Sequence, residues 1–244
     1  MEYGSENDNI ILLLHGGGLS WWNYDQAAKS LQQDYHVILS ILDGHAKSDK
    51  SFTSIENNAA EIIAFIDENF GGQIFLIGGL SLGGQILLEI LSQRSDICRY
   101  AIVESALVIP SKLTHAMIRP AFGSCYGLIR HKWFSKLQFR SLKIRADLFD
   151  YYYMDSCAIL KQDLISFLEA NALYALKEPI KNCTAKVHVL IGEKENRVMR
   201  KSAEIIHKAI PDSTLQILPG LYHGEFSINH GNAYADKIRE IIED

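Results

Sequence analysis

What the chain lacks narrows the field first. Its four cysteines, Cys98, Cys125, Cys157 and Cys183, are scattered with no C-x-x-C pair, so neither a structural zinc nor a redox dithiol is expected, and the thiols read as buried and free. No apolar run approaches the roughly 18 residues that a membrane-spanning helix needs. Met1 to Asn9 is polar and acidic where a secretory leader would carry a basic and then an apolar segment. The expectation is a cytoplasmic protein with no membrane partner. No block of Lys or Arg occurs, and the formal net charge of -5 reads as spread along the chain, so nucleic acid is not an expected partner either. The nine histidines show no ligand-like cluster, and no metal is expected. A disordered chain would be poor in apolar residues; this one is 48% hydrophobic and 22% charged over 244 residues, which suits one globular body with a sizeable core.

Against those absences stands one strong local signal, Gly78-Gly79-Leu80-Ser81-Leu82-Gly83-Gly84. It follows the apolar run Ile74 to Ile77 and precedes the helical periodicity of Gln85 to Leu91, so it reads as a strand-turn-helix junction. A serine at the apex of such a turn is exposed on a strained backbone, and glycines two residues to either side remove the Cβ atoms that would block it. Ser81 is therefore the candidate nucleophile.

The rest of the chain alternates strands and amphipathic helices. Ile10 to Leu14 is a continuous apolar run, as in a strand covered on both faces, and it ends in His15-Gly16-Gly17-Gly18. A dinucleotide-binding turn would need a third glycine where Trp21 stands, and no Walker lysine follows; no cofactor is expected. The remaining reading is an oxyanion loop, with the N–H of Gly17 and that of Leu82 aimed at one place, and with Trp21, Trp22 and Tyr24 walling the site. His36 to Leu42 is a second strand, Ser54 caps a helix that runs from Ile55 to a stop at Gly71-Gly72, and Tyr100 to Val103 is a further strand ending at Glu104. Strands at Val187 to Ile191 and Thr214 to Leu218, with helices after each, complete the pattern. This is an α/β chain with a mostly parallel sheet and helices on both faces, in which ligands bind beyond the carboxyl ends of the strands. Residues 110–182 break the alternation and read as an inserted helical cap, with a helix capped by Ser156 and aromatic residues such as Trp133 and Tyr152 available to line an apolar pocket. The core is then residues 1–109 and 183–244.

Five motifs in order resemble the α/β-hydrolases: His15-Gly16, Asp43-Gly44-His45, the Gly79 to Gly83 turn, Gly192 to Glu195, and Gly220 to Gly224. The resemblance covers nearly the whole chain and implies a catalytic set of Ser81, His223 and Glu195, in chain order nucleophile, acid, base. Members of the family usually begin with two further strands; here almost nothing precedes Ile10, so about six parallel strands and a trimmed edge are expected. The acid is commonly Asp. Glu195 stands at that place, and Glu104 is the other choice. The reaction implied is hydrolysis of a carboxylic ester or thioester of a small apolar acid through an acyl-enzyme at Ser81, with oxyanion donors Gly17 and Leu82 and with neither metal nor cofactor. Alternatives are a C–C hydrolase, a perhydrolase, a lyase of the menaquinone-synthesis type, or a non-catalytic ligand-binding protein on the same scaffold. The menaquinone enzymes usually carry an arginine directly after the turn glycines, where this chain has Gln85.

Overall fold

Alternation along a single strand shows how the core is divided. In β2 (Ile10–Leu14), Ile11 and Leu13 point into one hydrophobic layer and Leu12 and Leu14 into the other, because successive side chains of a strand leave on opposite faces. Both faces are covered, so the strand is apolar throughout. The structure, a computed structural model, describes residues 1–243.

In chain order the elements are β1 (Glu2–Tyr3), β2, α1 (Asp25–Leu31), β3 (His36–Leu39), α2 (Ile55–Phe70), β4 (Ile74–Leu80), α3 (Leu82–Gln93) and β5 (Cys98–Glu104). Then come α4 (Lys112–Cys125), α5 (Lys132–Ser141), α6 (Phe149–Ala158) and α7 (Lys161–Leu173), without a strand among them. The sheet resumes with β6 (Lys186–Gly192), α8 (Arg197–Ala209), β7 (Ser213–Leu218), α9 (Glu225–Asn229) and α10 (Gly231–Glu243). One core layer packs α2, α3 and α8 on the sheet, and the other packs α1 and α10. Among the described residues no helix is long and apolar enough to cross a membrane.

The sheet order is β1-β3-β2-β4-β5-β6-β7. Strands β2 to β7 form the six-stranded parallel sheet that the sequence pattern predicts. A seventh strand, β1, is added antiparallel at the edge, pairing Glu2 with Ile38 and Tyr3 with Val37. Two residues carry no periodicity, so this strand has no signature in the sequence; the Met1 ammonium donating to Leu39 O at 3.0 Å and the hydrogen bond between His36 Nε2 and Glu2 Oε1 at 2.5 Å hold it. The chain leaves β2 toward β3 on one side and returns to β4 on the other. The β2 and β4 loops therefore meet at a crevice where the strand order reverses, the usual ligand position in such sheets.

Helix α2 starts and stops where its sequence says. Ser54 Oγ accepts the Asn57 N–H at 3.0 Å, and Gly71 ends the helix at φ 67°. The helical segment differs from expectation: Ser156 lies inside α6, and α7 begins only at Lys161 after Leu160. Two buried carboxylates tie this segment to the core. Asp155 accepts the Trp22 indole N–H at 2.8 Å and Asp163 accepts the Phe52 N–H at 3.0 Å. The cysteines also divide: Cys98 and Cys183 are buried as expected, whereas Cys157 is half-buried and Cys125 is exposed.

Candidate active site

The junction between β4 and α3 forces Ser81 into a conformation that non-glycine residues rarely adopt, φ 53° and ψ −110°. The turn closes only because its flanks have no side chains. A Cβ on Gly79 would lie 2.4 Å from Gly83 O, and one on Gly83 would lie 2.2 Å from Leu14 O. Ser81 N–H donates to Glu104 O at 2.9 Å, fixing the turn to the neighbouring strand.

Glu195 and His223 sit on the loops after β6 and β7, and backbone hydrogen bonds join the two loops. Glu193 N–H donates to Leu218 O and Lys194 N–H to Leu221 O, both at 2.9 Å. Glu195 Oε2 then accepts from His223 Nδ1 at 2.8 Å, a pairing that assigns the proton to Nδ1 and leaves Nε2 as the acceptor. Its other oxygen accepts the Ser105 hydroxyl at 2.6 Å and the Gly192 N–H at 2.9 Å. Burial alone would raise the Glu195 pKa; the bonds from His223, Ser105 and Gly192 outweigh it and hold the carboxyl below its ordinary value. The extra methylene relative to Asp is absorbed by this three-donor cradle. Ser105 was not singled out in the sequence, yet it also has a positive φ, 54°; a lone serine after a strand gives no signal of its own.

Glu104, the other choice for the acid, does not pair with His223. It is buried at the end of β5, where Oε1 accepts the Ser227 N–H at 3.4 Å and Oε2 has no hydrogen-bond partner among the described residues. Burial pushes its pKa up to about 7 against the smaller lowering effect of Ser227, and the nearby Glu195 adds to the rise. Ser227 Oγ accepts from Asn23 Nδ2, and Asn23 Oδ1 in turn accepts the Gly16 N–H, each at 3.3 Å. A chain of polar contacts thus runs beneath the site from Glu104 to the glycine loop.

In that loop Gly16 and Gly18 spend their N–H groups internally, Gly18 on His45 Nε2 at 3.0 Å. The N–H groups of Gly17 and Leu82 have no acceptor among the described residues, and Gly17 lies against the Leu82 side chain. Leu82 opens α3, whose first N–H groups have no partner within the helix. His15 and His45 serve as framework. His15 Nε2 accepts the Leu42 N–H at 3.1 Å, and burial pushes its pKa down to about 3 and that of His45 down to about 4, so both rings stay neutral. Among the described residues no group of three or more His, Cys, Asp and Glu is arranged to hold a metal ion.

Ser81 and His223 line one chamber of about 120 Å³, together with Gly17, Leu80 and Ile228, although no hydrogen bond joins their side chains among the described residues; such bonds often tighten only when substrate is bound. Next to it a cavity of about 210 Å³ is lined by Gly17, Leu19, Ile129, Tyr152, Ile159 and Phe167. Of the aromatics expected in the site, Tyr152 is there, but Trp133 is 64% exposed. Trp21, Trp22 and Tyr24 line neither of these two cavities. Trp22 and Tyr24 are buried in the core layer of α1 and α10, and Trp21 packs edge-on against Tyr151.

Comparison with known proteins agrees with this fold. A family model described as "Alpha/beta hydrolase family" matches residues 11–237. Among solved structures, bromoperoxidase from Bacillus anthracis superposes with a TM-score of 0.84 at 16% identity, covering 100% of this chain and 94% of that one. The esterase EaEST from Exiguobacterium antarcticum gives 0.83 at 18% identity, covering 100% and 94%. The enol-lactonase from Burkholderia xenovorans LB400 gives 0.82 at 15% identity, covering 100% and 95%. These identities speak to the fold and leave the reaction open, but the family match spans nearly all of the chain: the protein belongs to the alpha/beta hydrolase family.

Proposed function

We propose that the protein is a serine hydrolase that cleaves a carboxylic ester or thioester of a small, largely apolar acid through an acyl-enzyme at Ser81. The observation that carries this reading is the 2.8 Å contact between His223 Nδ1 and Glu195 Oε2 at a chamber that Ser81 also lines. A serine hydroxyl becomes a useful nucleophile when an imidazole takes its proton, and a carboxylate on the far ring nitrogen orients that imidazole and stabilises its charged form. In the first step the Ser81 oxygen bonds to the substrate carbonyl carbon, its proton passes to His223, and the bond to the leaving oxygen or sulfur breaks as His223 returns the proton to it. Water, deprotonated by His223, then bonds to the acyl carbon, the bond to the Ser81 oxygen breaks as His223 returns the proton to it, and the acid is freed. Charge on the carbonyl oxygen is met in both steps by the unspent N–H groups of Gly17 and Leu82.

The apolar cavity beside Gly17 favours an alkyl or aryl acyl group, and the helices over it act as a cap. A lyase reading of the menaquinone-synthesis type is less well supported, although the MenH structure from S. aureus shares the fold. The position after the turn glycines is Gln85, fully buried, with Nε2 donating to Leu107 O at 2.7 Å and Oε1 accepting from Asn171 Nδ2 at 2.9 Å. It offers no positive charge to an acidic substrate.

The test is labelling with a fluorophosphonate followed by a screen of p-nitrophenyl esters and acyl thioesters of graded length. A single adduct on Ser81, lost in Ser81→Ala together with hydrolysis, is the expected result. Absence of any adduct in the native protein would return the fold to the ligand-binding reading.

A further inference from the structure

The cavities around Ser81 differ in chemistry, and Leu142 is common to three of them. Inward from it lies the apolar cavity, and next to it the Ser81 chamber. Beside His223 is a larger space, about 520 Å³, lined by Lys143, Lys194, Glu195, Asn196, Tyr222 and His223. There two ammonium groups converge on one ring: Lys194 Nζ lies 4.8 Å and Lys143 Nζ 5.6 Å from the centre of Tyr222. Neither forms an ion pair among the described residues. The nearest carboxylates on the same loops are otherwise engaged, Glu195 with His223, Glu193 with Gly220 N–H and Glu225 with Tyr222 N–H.

Lys143 is not there by default. It is held at φ 59°, in the left-handed region that a lysine adopts at an energetic cost, and such residues gather at ligand-binding places. Asn229 fixes the turn from both sides, with Nδ2 donating to Lys143 O at 2.7 Å and Oδ1 accepting the Arg145 N–H at 2.9 Å. Asn229 ends α9, the helix that follows the His223 loop, so Lys143 keeps a fixed relation to the base. The surrounding sequence has the same sign. From Ser105 to Ala146 there is no Asp or Glu and there are eight Lys or Arg, so the net negative charge of the protein is borne by the rest of the chain.

We infer that this larger cavity is a leaving-group site for a phosphate-bearing alcohol or thiol, with the phosphate held between Lys143 and Lys194 and the leaving atom at His223. The substrate is then two-ended, an apolar acyl group inward of Leu142 and an anionic group outward. Two cations with a shared geometry and no resident counter-ion attract a dianion more strongly than they do a neutral group. The acyl end of this assignment rests on the serine-hydrolase reading; the anion site does not.

The experiment compares para-(butyryloxy)phenyl phosphate with para-methoxyphenyl butyrate. At low salt the native protein should prefer the phosphate ester in kcat/KM by about ten-fold, mainly through KM, and the preference should shrink as salt is raised. In Lys143→Ala/Lys194→Ala the ratio should fall to near one. Lys201→Ala/Lys208→Ala, on the exposed side of α8, removes the same charge and should keep the native ratio, which separates a local site from the general field. A second arm titrates phenyl phosphate into Ser81→Ala with and without the two cavity lysines. Binding that depends on both lysines supports the site even if no ester is turned over, in which case only the hydrolase reading falls. A native ratio near one, a ratio retained without the lysines, or phenyl phosphate binding indifferent to them overturns the inference.

Discussion

Glu195 and Glu104 carry the same side chain, one just past the end of β6 and the other at the end of β5, and differ in the partners that set their charge. The first is surrounded by three donors and held as a carboxylate; the second is buried with one oxygen unpartnered among the described residues, and burial raises its pKa to about 7. Glu195→Gln should therefore lower kcat by roughly 10²–10⁴-fold, because the imidazolium that forms at His223 loses its counter-charge. Glu104→Gln leaves the His223–Glu195 pair in place and should change kcat by less than about ten-fold. If the order of the two variants in a side-by-side assay is reversed with folding unchanged, the acid role passes to Glu104. What could be read in advance at this scale follows the glycines. Ser81, His223 and Glu195 each lie in a turn whose glycines restrict what the neighbouring residue can be. Ser105, Asn23 and Ser227 carry no such mark, since what a small polar side chain does depends on partners brought to it by other strands.

At the scale of the element, the six parallel strands were legible as short, mostly apolar runs alternating with helical stretches, whereas the two-residue β1 was not, and the order of the strands in the sheet comes from the structure. The helical segment was legible only as helical. Helix α6, which carries Tyr152, is weakly amphipathic, so periodicity could not say which of its aromatics faces the cavity, and Trp133 on α5 was grouped with Tyr152 as an aromatic of the same segment. The structure separates them: Tyr152 is 7% exposed and lines the apolar cavity, while Trp133 stands in solvent. Tyr152→Ala should lengthen the cavity and shift preference toward longer acyl chains, with each additional buried CH₂ worth about 0.8 kcal/mol in relative kcat/KM. Trp133→Ala should leave the chain-length profile where it was. Profiles measured on esters of two to ten carbons decide the matter; an equal loss at every length in Tyr152→Ala would mean that the residue supports α6 rather than the pocket.

Across the whole molecule the acid beneath the site links catalytic geometry to stability. Glu104 lies between β4 and β6, with the Tyr24 and Tyr234 hydroxyls near enough that its charge would raise their pKa values further. Ionising it within that layer is opposed by burial, so its pKa rises from an ordinary 4.5 to about 7. Below about pH 4.5 the group is protonated in the folded and unfolded chains alike, and it takes nothing from stability. Between that value and about 7 the unfolded chain releases a proton that the folded chain retains, so stability falls as pH rises; above about 7 the loss is complete and constant. The shift corresponds to an order of 3 kcal/mol. Glu195 acts in the opposite sense, because its lowered pKa contributes stability that disappears on acidification. Glu104→Gln keeps the shape of the protonated acid and removes its titration. Urea unfolding between about pH 5 and pH 8 should therefore show a shallower decline in the variant than in the native protein, with the variant the more stable at the alkaline end. Parallel profiles for the two proteins would mean that Glu104 titrates at its ordinary value, and that its charge is met in the folded state by a partner such as His223.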